Sequence, residues 1–372
     1  MLSRLSYFAN DFILYLVLIC LAFLFFSCAI FKLYRSALSK KRRNLYLALV
    51  SLVFAIILTY SAAEAYFRFV YDESDGLGFL KTNARWHQRH VVTNNYFVRD
   101  RDFETAKAEG VRRIGVIGDS ITFGGGIKNQ NDRFSNLLED SLNKEGKNVQ
   151  VYNLGKPGYD TDGELGEYEK FRHLNFDIIV WQYFLNDIQP LGKSTGTPII
   201  NKNSQRAKII EFLSQKSFFF DFMYWRFSQK YQKTFAQLKD ADIAQYNNPE
   251  VFGAHKNQIE GFLKELKEED KKVIVIIFPF IHLLGPNYPA GDIHKELGQI
   301  FKDGGADAVI DLLDDLENGD PKKLMASRFD SHPNESVHAL AAQRLFEVLN
   351  SFSPSPRLPG QLPTGKRSKL LP

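Results

Sequence analysis

Cysteine is almost absent from this chain of 372 residues, which has only Cys20 and Cys28, both inside an apolar N-terminal segment. The rest of the chain therefore cannot form a disulfide bond or a cysteine-ligated metal site. A strong excess of charge is also absent, because the formal net charge is only +4. This value gives no reason to expect nucleic acid as a partner. The hydrophobic fraction of 44% is ample for the core of one large domain or two small ones.

Charged residues are missing from two long stretches, Phe12–Phe31 and Leu45–Ala63. Each stretch is long enough to cross a bilayer as a helix. The residues between them include no acidic side chain and the following basic ones: Lys32, Arg35, Lys40, Lys41, Arg42 and Arg43. The positive-inside rule places this short loop in the cytoplasm. The chain after Glu64 is therefore expected on the outer side of the membrane.

A signal peptide or a lipid-modified cysteine fits the first apolar stretch less well than a transmembrane helix does. A cleaved signal peptide would need more basic side chains than Arg4 alone before a shorter apolar run. A lipid-modified cysteine at either position is disfavoured because Ile19 and Phe25 are unsuitable neighbours. We therefore predict a membrane anchor at residues 1–66, with transmembrane helices at 12–31 and 45–63.

The glycine-rich stretch Arg112–Gly126, with the sequence R-R-I-G-V-I-G-D-S-I-T-F-G-G-G, contains a candidate nucleophile. Its apolar run Ile114–Ile117 is typical of a buried parallel strand. Ser120 follows the carboxyl end of that strand, where open α/β sheets bind their ligands. A serine hydroxyl becomes a good nucleophile only when a neighbouring base takes its proton. The sequence must therefore supply such a base elsewhere.

From Arg113 onward, apolar runs alternate with segments of helical periodicity. After the first strand, the predicted strands are Val149–Asn153, Ile178–Phe184, Val273–Phe278 and Ala308–Leu312, and the predicted helices are Arg133–Lys144, Leu165–Leu174, Val251–Glu269, His294–Lys302 and Glu335–Leu349. This alternation predicts an α/β domain with a mainly parallel sheet and helices on both faces. We place the domain at 112–352, after a connector or cap at 67–111.

Two segments do not follow the alternation. Residues 189–250 form a predicted insertion, and within 217–238 aromatic side chains recur at helical spacing: Phe220, Tyr224, Phe227, Tyr231 and Phe235. We interpret this segment as a helix that packs its aromatic face on the domain, with a lid or a membrane-surface helix as the alternative. Residues 353–372 are rich in proline and basic residues, which predicts a disordered tail.

A candidate base stands just before the last predicted helix, where Asp330 and His332 lie two positions apart in a predicted loop, D-S-H-P-N. The carboxylate can hold the imidazole in one tautomer, and a histidine held in this way is suited to act as a general base for Ser120. Alternatively, the motif is only a helix-capping loop, with Asn334 or Ser331 as the cap.

Two further loops offer hydrogen-bond donors after predicted strands. Gly158, in N-L-G-K-P-G, lets a backbone N–H approach a ligand closely. Asn186, in F-L-N-D, offers a side-chain amide. With the N–H of Ser120, these groups would donate three hydrogen bonds to a developing oxyanion. The neighbouring Asp119 and Asp187 are expected to accept hydrogen bonds within their loops.

Three other histidines are interpreted as ordinary polar or packed residues. His87 and His90 have a spacing that suits a metal ion, but no third ligand of matching context is visible. His338 lies inside the last predicted helix and is expected to be packed or solvated.

Taken together, the four blocks resemble the SGNH hydrolases, the GDSL-type esterases and lipases, over roughly residues 112–349. The resemblance implies Ser120 as nucleophile, His332 as base and Asp330 as its orienting acid. It also implies an oxyanion hole made by Ser120, Gly158 and Asn186.

The sequence departs from the family pattern at three places. Ile121 stands where the family has leucine, and Phe184 replaces the glycine of the third block. The spacing between Asp330 and His332 is one residue shorter than usual and resembles that of acyl-modifying enzymes of the cell envelope. This last difference keeps acyl transfer open beside hydrolysis.

The family implies a flavodoxin-like three-layer α/β/α fold and no metal or cofactor. The lead-in N-N-Y-F-V-R-D-R-D resembles that of membrane-anchored bacterial members. It implies a multi-pass protein of the bacterial inner membrane with its domain on the periplasmic, extracytoplasmic side. We predict a serine esterase acting on an acylated glycan, a lipid or a small ester. The alternatives are an O-acetyltransferase for an envelope polysaccharide and a non-catalytic envelope binding protein.

Overall fold

The computed structural model describes residues 2–76, 78, 80–188, 205–227 and 239–352. It begins with two long helices, α1 (Leu2–Tyr34) and α2 (Lys40–Ala65), and α2 continues into the π-helical turn Tyr66–Val70. The segments 11–34 and 40–70 are long and apolar enough to cross a membrane, and the most apolar part of each is not buried. The two uncharged stretches of the sequence thus form an exposed helical hairpin.

A five-stranded parallel sheet lies at the centre of the domain that follows. Its strands are β1 (Arg112–Ile117), β2 (Val149–Asn153), β3 (Ile178–Phe184), β4 (Lys272–Phe278) and β5 (Ala308–Asp311). Their spatial order is β2-β1-β3-β4-β5, which is the flavodoxin-like order. The predicted α/β fold class is therefore confirmed, and each predicted strand starts and ends within two residues of the observed one. A separate antiparallel pair joins β6 (Met325–Ser327) to β7 (Asp330–Pro333).

Helices cover both faces of the sheet. Among the described residues, the α-helices that follow the hairpin are α3 (Lys81–His90), α4 (Ser120–Phe123), α5 (Phe134–Lys144), α6 (Thr161–Phe171), α7 (Gln205–Lys216), α8 (Phe218–Phe227), α9 (described part 239–246), α10 (Pro249–Glu268), α11 (Gly291–Asp303), α12 (Leu313–Leu316), α13 (Pro321–Leu324) and α14 (Glu335–Phe352). Side chains of α5 and α14 share one core cluster, and side chains of α6, α10 and α11 share the other. The domain therefore has three layers.

The two core clusters arise from the alternation of side chains along each strand. On β3, Val180 belongs to the core with α5 and α14, and its neighbour Trp181 belongs to the opposite core. On β4, Ile276 and Ile277 divide in the same way. Because both faces are covered, the strands are apolar almost throughout, which is why the sequence shows them as continuous runs.

Helices α7 and α8 lie within the predicted insertion, and α8 holds the first part of the predicted aromatic helix. Phe222 of α8 packs on Phe67 with ring centres 4.3 Å apart and meets Phe329 edge-on at 5.5 Å. Part of its aromatic surface therefore packs against the segment that follows α2 and against the turn before β7. Residues 228–238, which include the rest of the predicted helix, and residues 353–372 lie outside the described residues.

Glu64, near the end of α2, joins the hairpin to α8. Its buried carboxylate accepts hydrogen bonds from the backbone N–H groups of Phe218 at 3.1 Å and Phe219 at 2.9 Å. These N–H groups belong to the first turn of α8, where carboxylates are stabilising. Arg68 bridges Glu64 at 2.8 Å and Asp11 of α1 at 2.9 Å. The hairpin and the insertion are thus bonded to each other.

Candidate active site

Ser120 is held in a tight turn between β1 and the short helix α4. The carboxylate of Asp119 caps α4 by accepting a hydrogen bond from the N–H of Ile121 at 2.8 Å. This bond confirms the expectation that Asp119 fixes the turn. The second oxygen of Asp119 lies 3.3 Å from the hydroxyl of Ser120. The turn therefore directs the serine side chain out of the carboxyl end of the sheet.

The turn is also packed against β3 through Gln182. Its side-chain oxygen accepts hydrogen bonds from the N–H of Asp119 at 3.3 Å and from the N–H and hydroxyl of Thr122 at 3.1 and 2.8 Å. A Cβ atom at Gly118 would lie 2.4 Å from that oxygen. Only glycine fits there, because real Cβ atoms do not approach so closely. Sequence reasoning missed Gln182, although a polar residue inside an apolar strand was a usable signal.

Asp330 and His332 lie on the same face of β7, because side chains two apart on a strand point the same way. The motif was predicted as a loop, and the structure corrects this to a short strand paired with β6. Nδ1 of His332 lies 2.5 Å from Oδ1 of Asp330, which also accepts the N–H of His332 at 3.0 Å. Because side chains alternate between the two faces of a strand, Asp330 and His332 lie side by side, although their spacing is one residue shorter than is usual in the family. Asn334 caps α14 by accepting hydrogen bonds from the N–H groups of the following turn.

The other ring nitrogen of His332, Nε2, lies 2.8 Å from Oγ of Ser120. The structure therefore brings three sequence-predicted residues, Ser120, His332 and Asp330, into one hydrogen-bonded chain. The glycines after α4 leave room for this contact, since a Cβ atom at Gly125 would lie 3.1 Å from the imidazole ring. The imidazole is 19% exposed and the carboxylate 1%. Solvent thus reaches the histidine but not its acidic partner.

The charges around His332 favour its protonated form. Burial alone would lower the pKa of His332, but the carboxylates of Asp330, Asp119 and Asp75 outweigh this and raise it to about 9. Burial acts to raise the pKa of Asp330, but the imidazole and its other hydrogen bonds hold that pKa below its ordinary value. Asp330 therefore stays ionised, and of these two residues His332 is the one that gains and loses a proton.

The two predicted oxyanion residues lie in loops after β2 and β3. Gly158 has a φ angle of +77°, in the left-handed region that favours glycine, and a Cβ atom there would meet nothing within 4 Å. The side-chain oxygen of Asn186 is buried and has no hydrogen-bond partner among the described residues. Asp187 accepts a hydrogen bond within its own loop, as expected, from the N–H of Phe184 at 2.6 Å.

Arg99 shapes the glycine loop next to the serine and was not singled out from the sequence. Its buried guanidinium donates to the carbonyl oxygens of Gly124 and Ile127, each at 2.7 Å. A fixed planar cation with several donors is well suited to hold several carbonyls at once. Arg99 lies in the N-N-Y-F-V-R-D-R-D lead-in, so the resemblance was the available signal.

The remaining histidines take structural positions. His90 lies 2.8 Å from Asp72, and within the described ranges no group of three metal-ligating side chains occurs at His87 and His90 or elsewhere. His338 is fully buried on α14, where its Nδ1 accepts the N–H of Phe134 at 3.2 Å. Burial and nearby cations lower the pKa of His338 to about 3. It is a packed neutral histidine, as expected.

Residues 116–340 of the chain match the GDSL-like Lipase/Acylhydrolase family. No curated protein matches the chain. Among solved structures, TesA is similar at 15% identity and a TM-score of 0.41, over 65% of this chain and 100% of that one. The esterase EstA from Pseudoalteromonas sp. is similar at 15% identity and a TM-score of 0.35, over 65% of this chain and 98% of that one. The acetylxylan esterase Axe2 from Geobacillus stearothermophilus is similar at 14% identity and a TM-score of 0.36, over 64% of this chain and 93% of that one.

Proposed function

Because this chain belongs to the GDSL-like Lipase/Acylhydrolase family, whose members act on esters, we propose that it is a membrane-anchored serine esterase with Ser120 as nucleophile. The observation that carries the proposal is the hydrogen-bonded chain from Ser120 through His332 to Asp330, with contacts of 2.8 and 2.5 Å. It supplies a nucleophile, a base and an orienting acid in one line.

The reaction proceeds in two halves. Oγ of Ser120 attacks the ester carbonyl carbon while Nε2 of His332 takes the hydroxyl proton. The imidazolium then gives that proton to the leaving alkoxide, and an alcohol departs from the acyl-serine. Water attacks the acyl-serine in the same way and loses its proton to His332. The serine regains a proton from the imidazolium, and the carboxylic acid is released.

The charge that develops on the carbonyl oxygen is stabilised by N–H donors. We assign this role to the backbone N–H groups of Ser120 and Gly158 and to the side-chain amide of Asn186. Loss of one such donor typically costs about 2.7–4 kcal/mol of transition-state stabilisation. Asn186→Ala is therefore expected to lower kcat by roughly 10²–10³-fold with a smaller change in KM.

The hairpin of α1 and α2 supports attachment to a membrane. The loop between the helices carries only basic charges, which favours the cytoplasmic side for the loop and the periplasmic side for the domain. An alkaline phosphatase reporter fused after Phe352 is expected to be active, and the same reporter placed in the loop at Ser39 inactive. The opposite pattern would overturn the orientation, and release of the mature chain from membranes without its first helix would indicate a signal peptide.

The esterase activity is tested on the full chain in detergent with p-nitrophenyl acetate and a fluorophosphonate probe. Wild type is expected to turn over the ester and take up the probe, and Ser120→Ala to do neither. Ser141→Ala is the matched control, because the hydroxyl of Ser141 lies on α5, where it donates to the carbonyl oxygen of Leu137 at 2.8 Å. Equal turnover by wild type and Ser120→Ala would refute the proposal. Turnover that requires an added glycan acceptor would indicate an acyltransferase.

A further inference from the structure

The connector that follows the hairpin reaches into the candidate active site at Ser74. Ser74 is buried, and its hydroxyl donates a hydrogen bond to Oδ2 of Asp330. His332 contacts the other oxygen, Oδ1, at 2.5 Å. The two oxygens of the carboxylate thus have different partners. One partner lies two positions along the chain and the other 256 positions away.

The packing around this contact holds Ser74 against Asp330 from two sides. A Cβ atom at Gly76 would lie 3.1 Å from Oδ1 of Asp330. A Cβ atom at Gly126 would lie 3.3 Å from Oδ2 of Asp330 and 3.4 Å from the hydroxyl of Ser74. At both glycines the backbone therefore approaches closely, and the connector and the glycine loop pack directly on the carboxylate of Asp330.

The connector itself is fixed by its own hydrogen bonds. The side chain of Asn83 accepts the N–H of Asp75 at 3.1 Å, and Asp75 accepts the N–H of Leu80 at 3.1 Å. Ser74 precedes this bonded turn directly. The position of its hydroxyl next to Asp330 is consequently supported by the hydrogen bonds of Asp75.

We propose that Ser74 is a positioning residue for the esterase reaction, acting through Asp330. A carboxylate with a single partner can rotate about its Cβ–Cγ bond, whereas one held at both oxygens presents Oδ1 to His332 in one orientation. A buried carboxylate is also kept ionised by each donor it accepts. The inference rests on the proposed function, since it assigns Ser74 to the same reaction.

The first test compares Ser74→Ala and Ser74→Thr with wild type, each as the full chain in detergent. Ser74→Ala is expected to lower kcat at least about tenfold with KM nearly unchanged, and Ser74→Thr to recover most of the loss because it keeps the hydroxyl. Thr82→Val is the matched control, because the hydroxyl of Thr82 is buried in the next helix and has no partner among the described residues. It is expected to leave kcat unchanged. If Ser74→Ala does not fold, the nearly isosteric pair Ser74→Thr and Ser74→Val makes the same comparison.

The second test is independent of activity. The NMR titration of His332, assigned with His332→Asn in ¹³C-histidine-labelled protein, is expected to move to lower pH in Ser74→Ala. The reason is that a carboxylate that can rotate presents Oδ1 to the imidazolium less well and stabilises its charge less. The other carboxylates that face the ring, Asp119 and Asp75, are unchanged in this variant. An unchanged or raised midpoint, or kcat within twofold of wild type, would overturn the role of Ser74. Absence of turnover and probe labelling in wild type would instead refute the proposed esterase function. The titration would still test whether Ser74 orients Asp330.

Discussion

Nε2 of His332 lies 2.8 Å from Oγ of Ser120, although 212 positions of the sequence separate the two residues. The parallel sheet produces this contact, because the turn after β1 and the strand β7 meet at its carboxyl edge. The serine, the histidine and the aspartate therefore depend on one another through geometry and should be tested as a unit.

Removing two members of the unit should cost no more than removing one. Ser120→Ala and His332→Asn are each expected to lower kcat by at least about 10³-fold, because either change ends proton transfer from the serine hydroxyl. The double variant is expected to match the weaker single variant. Turnover of p-nitrophenyl acetate by purified full chain measures this, and additive losses in the double variant would contradict a shared role.

The rate should depend on the protonation of His332. A protonated imidazole cannot accept the serine proton, and its carboxylate neighbours raise the pKa of His332 to about 9. kcat/KM is therefore expected to rise with pH and to reach half its plateau near pH 9. Asp330→Asn removes the largest stabilising charge, so its midpoint is expected at lower pH and its plateau below that of wild type.

A short-chain ester in a pH-stat gives both profiles. A wild-type midpoint at or below the ordinary histidine pKa, or an identical midpoint in Asp330→Asn, would contradict the electrostatic account. Asp315→Asn serves as the control, because that carboxylate pairs with Arg344 on the outer surface of α14. It is expected to leave the midpoint in place.

The loop after β2 tolerates no side chain at Gly155. A Cβ atom there would lie 2.3 Å from the backbone nitrogen of Phe123, so Gly155→Ala forces the serine turn and this loop apart. Such overpacking typically costs about 1–3 kcal/mol. We expect a lower thermal midpoint together with reduced turnover. Gly166→Ala, at an open position on α6, is the control and is expected to raise stability by up to about 1 kcal/mol.

Glu64 should control the local stability of α8. Glu64→Ala removes the acceptor for two N–H groups of its first turn and leaves Arg68 bonded to Asp11 and to the carbonyl oxygen of Lys216. Loss of a helix cap costs about 0.5–2 kcal/mol. Amides of α8 are expected to exchange hydrogen faster by a corresponding factor, while amides of β3 stay protected. Glu211→Ala, a half-buried carboxylate on α7, is the control, and equal exchange in all three proteins would contradict the role of Glu64.

The sequence predicted most of the sheet because its strands are buried on both faces and therefore appear as continuous apolar runs. It also predicted Asp330 and His332 as partners, because their spacing is local. It could not predict that Ser74 joins them, since no periodicity or motif connects residues 256 positions apart. The short strand β7 was missed for a related reason: four residues with a proline give too little pattern, and pairing with β6 determines their conformation.

The contacts of Glu64 with α8 and of Ser74 with Asp330 make the link between the hairpin and the proposed catalytic groups short. With the hairpin embedded in lipid, such a link sets the height of Ser120 above the headgroups. Two esters of identical chemistry, one near the bilayer surface and one farther out on a polymer, would then meet the serine with very different frequency. For a membrane-embedded hairpin, distance from the membrane would be a criterion of substrate choice, separate from the shape of the cleft.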